Sequence, residues 1–270
     1  MSAVNSDRST PPTVALVVGA GGPTGGPFIW AALDALEART GWNPRTAATV
    51  VGTSAGAFVA ARMGERGGPS PEAVDRLRAL SNAIAFRPTI ATRFAAVVRT
   101  VGGRVVAAIA PADRPFADYD VPAGPYHLGA SAVTVEHRSG RRHQHDLNEA
   151  ADATAVVRAS AAIPGVNQPV PVNGVLHVDG AVHSANNVDL VDPVQHPVLV
   201  VVSPMVPKDG GTLVSRFHRA QLRRELRPWM QTGRTAVVIM PSEAAHAQRR
   251  NRELYAAEGA LAVDRLVASG

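Results

Sequence analysis

Residues Gly52-Thr53-Ser54-Ala55-Gly56 set a serine between two glycines in a G-x-S-x-G pattern. A serine hydroxyl is a poor nucleophile at neutral pH. It reacts when a base stands beside it and when donors stabilise the charge that develops on the attacked carbonyl. At a sharp junction between a strand and a helix, the positions two residues either side of the serine have no room for a side chain. Gly52 and Gly56 therefore read as the glycines of a nucleophile elbow. The pattern alone is weak in a chain with 24 glycines, so its setting carries the weight. An apolar run at 48–51 (ATVV) leads into Ser54 and a helical stretch at 57–63 leaves it.

The stabilising donors point to the segment Gly19-Ala20-Gly21-Gly22-Pro23-Thr24-Gly25. It follows a short apolar run at 13–18 and opens a helix, so its backbone N–H groups add to a helix N-terminus. Pro23 has no N–H, which leaves Gly21 and Gly22, with Thr24 or Gly25, as oxyanion donors. The plainer alternative is a glycine turn that packs a helix on a sheet. For the base, Asp179 stands at a strand end in Val178-Asp179-Gly180-Ala181. An Asx turn before Gly180 is the ordinary reading of that sequence. Asp179 gains weight as a base because the nine histidines fall mostly in polar turns and on helical surfaces.

The elements that must position these residues alternate in type. Runs at 13–18, 48–51, 175–178, 197–202 and 235–240 read as short strands, and those without alternation as strands buried on both faces. Helical patterns cover 28–36, with Pro27 in the first turn and Gly41 as the stop, and 57–63, 71–110, 149–162, 212–227 and 253–267. Residues 126–136 alternate loosely and read as a strand that Ser139-Gly140 turns into a hairpin. The order strand, tight loop, helix, strand, tight turn, helix predicts an α/β fold. Residues 1–12 read as a disordered lead and 13–270 as one domain. An ordinary α/β-hydrolase places more strands before its nucleophile and a histidine late in the chain; here two strands precede Ser54.

At this point the chain resembles the patatin-like phospholipases, lipid acyl hydrolases with a Ser-Asp dyad. Four blocks carry the likeness: VALVVGAGGPTGGPFIWAAL, VVGTSAGAFVAARM, ASAAIPGVNQPV at 159–170 and VDGAVHSANNVDL. They match the family's G-G-G-x-[RK]-G loop, its G-x-S-x-G, its A-S-x-A-I-P-G-x-x-x-P stretch and its D-G-[GA] motif, in the family's order. The resemblance implies a three-layer αβα sandwich around a mostly parallel sheet. It implies that Ser54 attacks an acyl ester and Asp179 serves as general base, with Gly180 completing the aspartate motif, and it implies no metal or organic cofactor. Two positions depart from the family pattern: Ala20 replaces the first loop glycine, and Thr24 stands where arginine or lysine is usual.

Composition bounds the rest. Of 270 residues 46% are hydrophobic and 18% charged, a globular balance, and there is no cysteine for a disulfide or thiolate metal site. The N-terminus lacks an apolar signal core, and the expectation is a cytoplasmic protein with peripheral contact to anionic membrane. The net charge is +5, almost entirely arginine, yet aromatics are only 4%, too few for nucleic-acid stacking platforms. Arg216, Arg219, Arg223 and Arg227 recur on one helix face, which reads as a solvated stripe or an anionic-lipid contact. His143 and His145 share a strand face at a hairpin tip, with no third metal ligand obvious beside them. Apolar stretches at 94–98 and 105–109 read as a core helix pair or as the cover of an acyl channel. Two rival functions remain: a dinucleotide-binding protein using the Gly19–Gly25 loop, which lacks the acidic ribose partner after the second strand, and a serine acyltransferase.

Overall fold

The computed structural model describes residues 13–64, 69–80 and 120–269. In chain order its strands are β1 (Val14–Val18), β2 (Thr49–Gly52), β3 (Ala130–Glu136), β4 (Arg142–Asp146), β5 (Val170–Val172), β6 (Val175–Asp179), β7 (Val198–Val202) and β8 (Thr235–Ile239). They form an eight-stranded sheet with the hydrogen-bonded order β5-β6-β3-β2-β1-β7-β8, and β4 pairs with β3. The run β3-β2-β1-β7-β8 is parallel throughout. The pairings β3-β4, β3-β6 and β5-β6 are antiparallel.

The helices are α1 (Gly22–Thr40), α2 (Ala55–Arg62), α3 (Pro71–Ala79), α4 (Ala153–Ser160), α5 (Leu213–Gln231), α6 (Glu243–Ala247) and α7 (Arg252–Val267). Successive residues of β1 show why three layers result. Val14, Leu16 and Val18 pack with buried residues of α1, α2, α3, α4 and α7. Ala15 and Val17 face the other way and pack with Leu222, Leu226 and Trp229 of α5. Side chains of a strand alternate between faces, so a strand buried on both sides must be covered twice. The expected three-layer α/β architecture with a mostly parallel sheet is what the chain adopts.

Several boundaries differ from expectation. The first helix begins at Gly22 rather than near Pro27. Pro23 takes its first turn, where a fixed φ is already helical and a missing N–H has no partner to lose; Pro27 lies inside the helix. Gly41 ends it as expected, in the left-handed conformation at φ 72°, with its N–H donating to the Glu37 carbonyl. β3 starts at Ala130, four residues later than the alternation placed it, because Tyr126 N–H is taken by Asn148 Oδ1 instead of a neighbouring strand. The hairpin expected at Ser139-Gly140 is formed by β3 and β4, while β5 and α6 have no counterpart in the sequence reading. The apolar stretches at 94–98 and 105–109 lie outside the described residues.

Candidate active site

The sheet brings Ser54 and Asp179 together by running two strands head to head. β4 pairs with β3 from Ser131 to Val135, so it takes one edge of that strand. β2 and β6 must share the other edge. β2 runs parallel to β3 and stops at Gly52, opposite Ala132. β6 runs antiparallel and stops at Asp179, opposite Thr134. Only Val133 separates the two ends. The chain turns away from the sheet at both, and the turns carry Ser54 and Asp179.

Each turn explains its glycines. Ser54 has φ 56° and ψ −117°, a conformation that costs an L-residue about 1–3 kcal/mol. A Cβ on Gly52 would lie 2.6 Å from the Gly56 carbonyl oxygen, and one on Gly56 would lie 1.9 Å from the Val18 carbonyl oxygen. A Cβ on Gly180 would lie 2.4 Å from the Val133 carbonyl oxygen, in the gap between the facing strand ends. Several of the elbow N–H groups have acceptors in place. Gly56 N–H donates to Thr53 and Ala57 N–H to Ser54. Ser54 N–H donates 3.0 Å to Ser160 Oγ, at the end of α4.

Ser54 and Asp179 are each 3% exposed, and the Ser54 side chain lies beside the Asp179 carboxyl in one cleft. Asp179 Oδ1 also accepts from Ala181 N–H at 2.8 Å. The Asx turn is thus present and does not compete with the contact to Ser54; one carboxylate serves both. Burial pushes the Asp179 carboxyl up to about 7, against the hydrogen bonds from Ala181 and Ser54 that pull it down. A carboxylate poised near neutral pH is a far better base than an exposed aspartate.

The glycine segment lies alongside. Gly19 N–H donates to the Val202 carbonyl at 2.9 Å and Ala20 N–H to the Ala185 carbonyl at 2.8 Å. Gly21 is the N-cap of α1 with no side-chain capping bond, and the leading N–H groups of a helix have no intrahelical partner. Gly21, Gly22 and Thr24 therefore carry free donors at a positive dipole end. Gly25 follows directly in the same turn, which Gly22 opens in the left-handed conformation at φ 59°.

Two clefts open at Ser54. One, of about 230 Å³, is walled by Pro23, Gly26, Ala55, Phe58, Ala161 and Ile163. The other, of about 640 Å³, holds Ser54, Asp179, Gly21 and Thr24 together with His218, Arg249, Arg250 and Tyr255. The contributions from beyond residue 200 have no motif in the sequence. Tyr255 ties that wall down, its hydroxyl donating to the Pro204 carbonyl. Ser160 and Asn187 are also new. Asn187, with φ 57°, donates Nδ2 to the Ser184 carbonyl at 2.7 Å and to Thr53 Oγ1 at 3.1 Å. This ties the segment after Asp179 to the elbow.

Replacing Ser160 with alanine is expected to leave the buried Ser54 N–H without an acceptor, at about 1–3 kcal/mol. Thermal unfolding and ester kinetics on the Ser160→Ala variant check this: kcat should fall about tenfold with KM little changed. An unchanged kcat would detach Ser160 from the placement of the nucleophile.

The histidines are more buried than the sequence reading held. His127, His177, His196 and His246 are all at most 9% exposed. His177 joins His143 and His145, with ring centroids 5.2 to 5.8 Å apart. One nitrogen of each has a protein partner: Thr134 Oγ1 bridges His145 Nε2 at 2.8 Å and His177 Nδ1 at 2.7 Å, and His143 Nε2 meets Glu136 Oε1 at 2.6 Å. Among the described residues no group is arranged to hold a metal ion. The arginine stripe of α5 divides. Arg219 donates to the Pro207 and Gly210 carbonyls, both at 2.7 Å, while Arg216 and Arg227 are exposed. No helix among the described residues is long and apolar enough to cross a membrane.

A family model described as patatin-like phospholipase matches residues 16–192, more than half of the chain. A search of curated proteins returns no match. Among solved structures, the crystal structure of VipD from Legionella pneumophila is similar at 12% identity with a TM-score of 0.44, covering 97% of this chain and 67% of that one.

Proposed function

This chain belongs to the patatin-like phospholipase family, and on that premise we propose that it is a lipid acyl hydrolase working through Ser54 and Asp179. The observation that supports this most directly is that the facing ends of β2 and β6 bring the two side chains together in one cleft. In the proposed reaction the Asp179 carboxylate takes the Ser54 proton as Oγ attacks the ester carbonyl. The tetrahedral oxyanion is met by the N–H groups of Gly21 and Gly22, with Thr24 or Gly25 as a further donor. Asp179 then gives its proton to the leaving alcohol as the C–O bond breaks, leaving an acyl-Ser54. Water attacks that ester with Asp179 again as base, Asp179 returns the proton to Ser54 Oγ as the acyl–Oγ bond breaks, and the freed acid departs. The apolar cleft beside Phe58 and Ile163 suits the acyl chain. Exposed Arg216 and Arg227, with the exposed Leu213 and Val214 at the start of α5, suit peripheral contact with an anionic membrane.

Labelling with a fluorophosphonate probe tests the nucleophile. Wild type is expected to label, while Ser54→Ala, folded by circular dichroism, loses labelling and at least about a thousandfold of its ester turnover. Labelling that persists in Ser54→Ala would place the nucleophile elsewhere.

A further inference from the structure

The larger cleft at Ser54 has a charge asymmetry that ester cleavage does not require. The segment from Gly19 to Gly25 carries no charged side chain, and the smaller cleft is walled mainly by apolar groups, its one charged lining residue being Arg62, which donates to the Phe58 and Asp120 carbonyls. The far wall of the larger cleft carries Arg249 and Arg250, side by side in the link between α6 and α7. Both are exposed. Among the described residues neither forms an ion pair. Arg249 spends one donor, Nη1, on the His246 carbonyl at 3.1 Å, which fixes the side chain and leaves the rest of its planar fork unused.

Two carboxylates of the adjoining helices are engaged elsewhere. Glu243 Oε1 accepts from Gly211 N–H at 2.6 Å, and Glu258 accepts from Ser242 N–H and Arg265. His218 lines the same wall, and burial holds its pKa below the ordinary value, so it adds little charge at neutral pH. The wall therefore presents two uncompensated guanidinium groups to a cleft whose floor is Ser54 and Asp179.

We propose that Arg249 and Arg250 bind the anionic phosphodiester of a glycerophospholipid headgroup, so that the acyl chain enters the apolar cleft beside Phe58. Guanidinium forks match phosphate oxygens geometrically, and the charge-assisted bonds they form are the strong ones. This assignment rests on Ser54 and Asp179 as the reacting pair, and it makes the enzyme selective for anionic phospholipids over neutral glycerides.

The test is binding to the full chain carrying Ser54→Ala, so that no turnover intervenes. The probes are dihexanoyl phosphatidylglycerol and dihexanoylglycerol, each below its micelle concentration. The phosphodiester is expected to bind at least about tenfold tighter than the neutral glyceride, a preference that R249A/R250A abolishes and R249K/R250K largely restores. Equal binding of the two probes, or a preference that survives R249A/R250A, would overturn the assignment. Inorganic phosphate that binds as tightly as the lipid would assign the arginines to a free anion and overturn the headgroup reading. Turnover of a neutral p-nitrophenyl ester is measured separately. If it persisted in Ser54→Ala, the dyad would fail, while the binding preference would still decide what the two arginines hold.

Discussion

Asp179→Asn is expected to abolish ester hydrolysis and, above neutral pH, to make the protein more stable than wild type. Both effects come from one buried carboxyl. Asparagine keeps an oxygen for the Ala181 N–H but cannot take the Ser54 proton, so kcat should fall by at least about a thousandfold. The stability effect follows from linkage. Burial raises the folded carboxyl to about 7 from an ordinary value of 3.8. Below about pH 4 both folded and unfolded chains hold this proton. Between there and 7 the unfolded chain has released it while the folded chain keeps it. Stability therefore falls as pH rises across that window, by up to about 4 kcal/mol when complete. Asparagine does not titrate and escapes this loss. The variant's advantage in Tm should be near zero below pH 4, grow through pH 5 and 6, and reach several degrees at pH 8.5. A Tm difference independent of pH would refute it. In wild type the same titration should lower kcat/KM below about pH 7, with one proton's slope, because only the carboxylate is a base.

The same contrast shows what could be read from the sequence and what could not. Ser54 was legible because its constraints are local: an apolar strand before it, a helix after it, and two glycines whose absent side chains would meet backbone within the same turn or the adjoining strand. Gly41 was legible for the same reason. Asp179 was only half legible. Its Asx turn is a local feature, but its contact with Ser54 depends on β2 and β6 ending on the same edge of β3, more than a hundred residues apart in sequence. Nothing in the 175–178 run signals that arrangement. The start of α1 was misplaced because glycine is a poor helix former, whereas here the first turn forms on Pro23 and the glycines beside it. His177 meets His143 and His145 through antiparallel pairing of β6 and β4 with β3, so its burial was invisible from residue type. His218, Arg249 and Arg250 reach the cleft from α5 and the α6–α7 link, and none of them stands in a motif. Those residues line the cleft around the pair, and their placement is wholly tertiary.

Gly56→Ala is expected to be the most destabilising single-methyl change in the elbow, although alanine is the better helix former. Gly56 lies in α2, where propensity alone favours alanine by about 1 kcal/mol. Its added Cβ, however, would stand 1.9 Å from the Val18 carbonyl oxygen and 3.0 Å from that of Gly19. These obstacles are backbone, and the Val18 carbonyl already accepts from Thr53 N–H at 3.0 Å. No side chain can swing aside, so α2 must lift from β1. Overpacking of this kind costs about 3 kcal/mol or more, which lowers Tm by roughly 10 °C in a chain of this size. Because α2 carries Ser54 at its N-cap, the lift also moves the nucleophile away from Asp179, and turnover should fall by at least about a hundredfold. Gly26→Ala is the matched control for stability. Gly26 also lies in a helix, but a Cβ there meets nothing within 4 Å, so the propensity gain stands alone and Tm should rise slightly. If the two variants melted together, the close approach of α2 to β1 would not be what Gly56 provides, and the steric account of the elbow would fail with it.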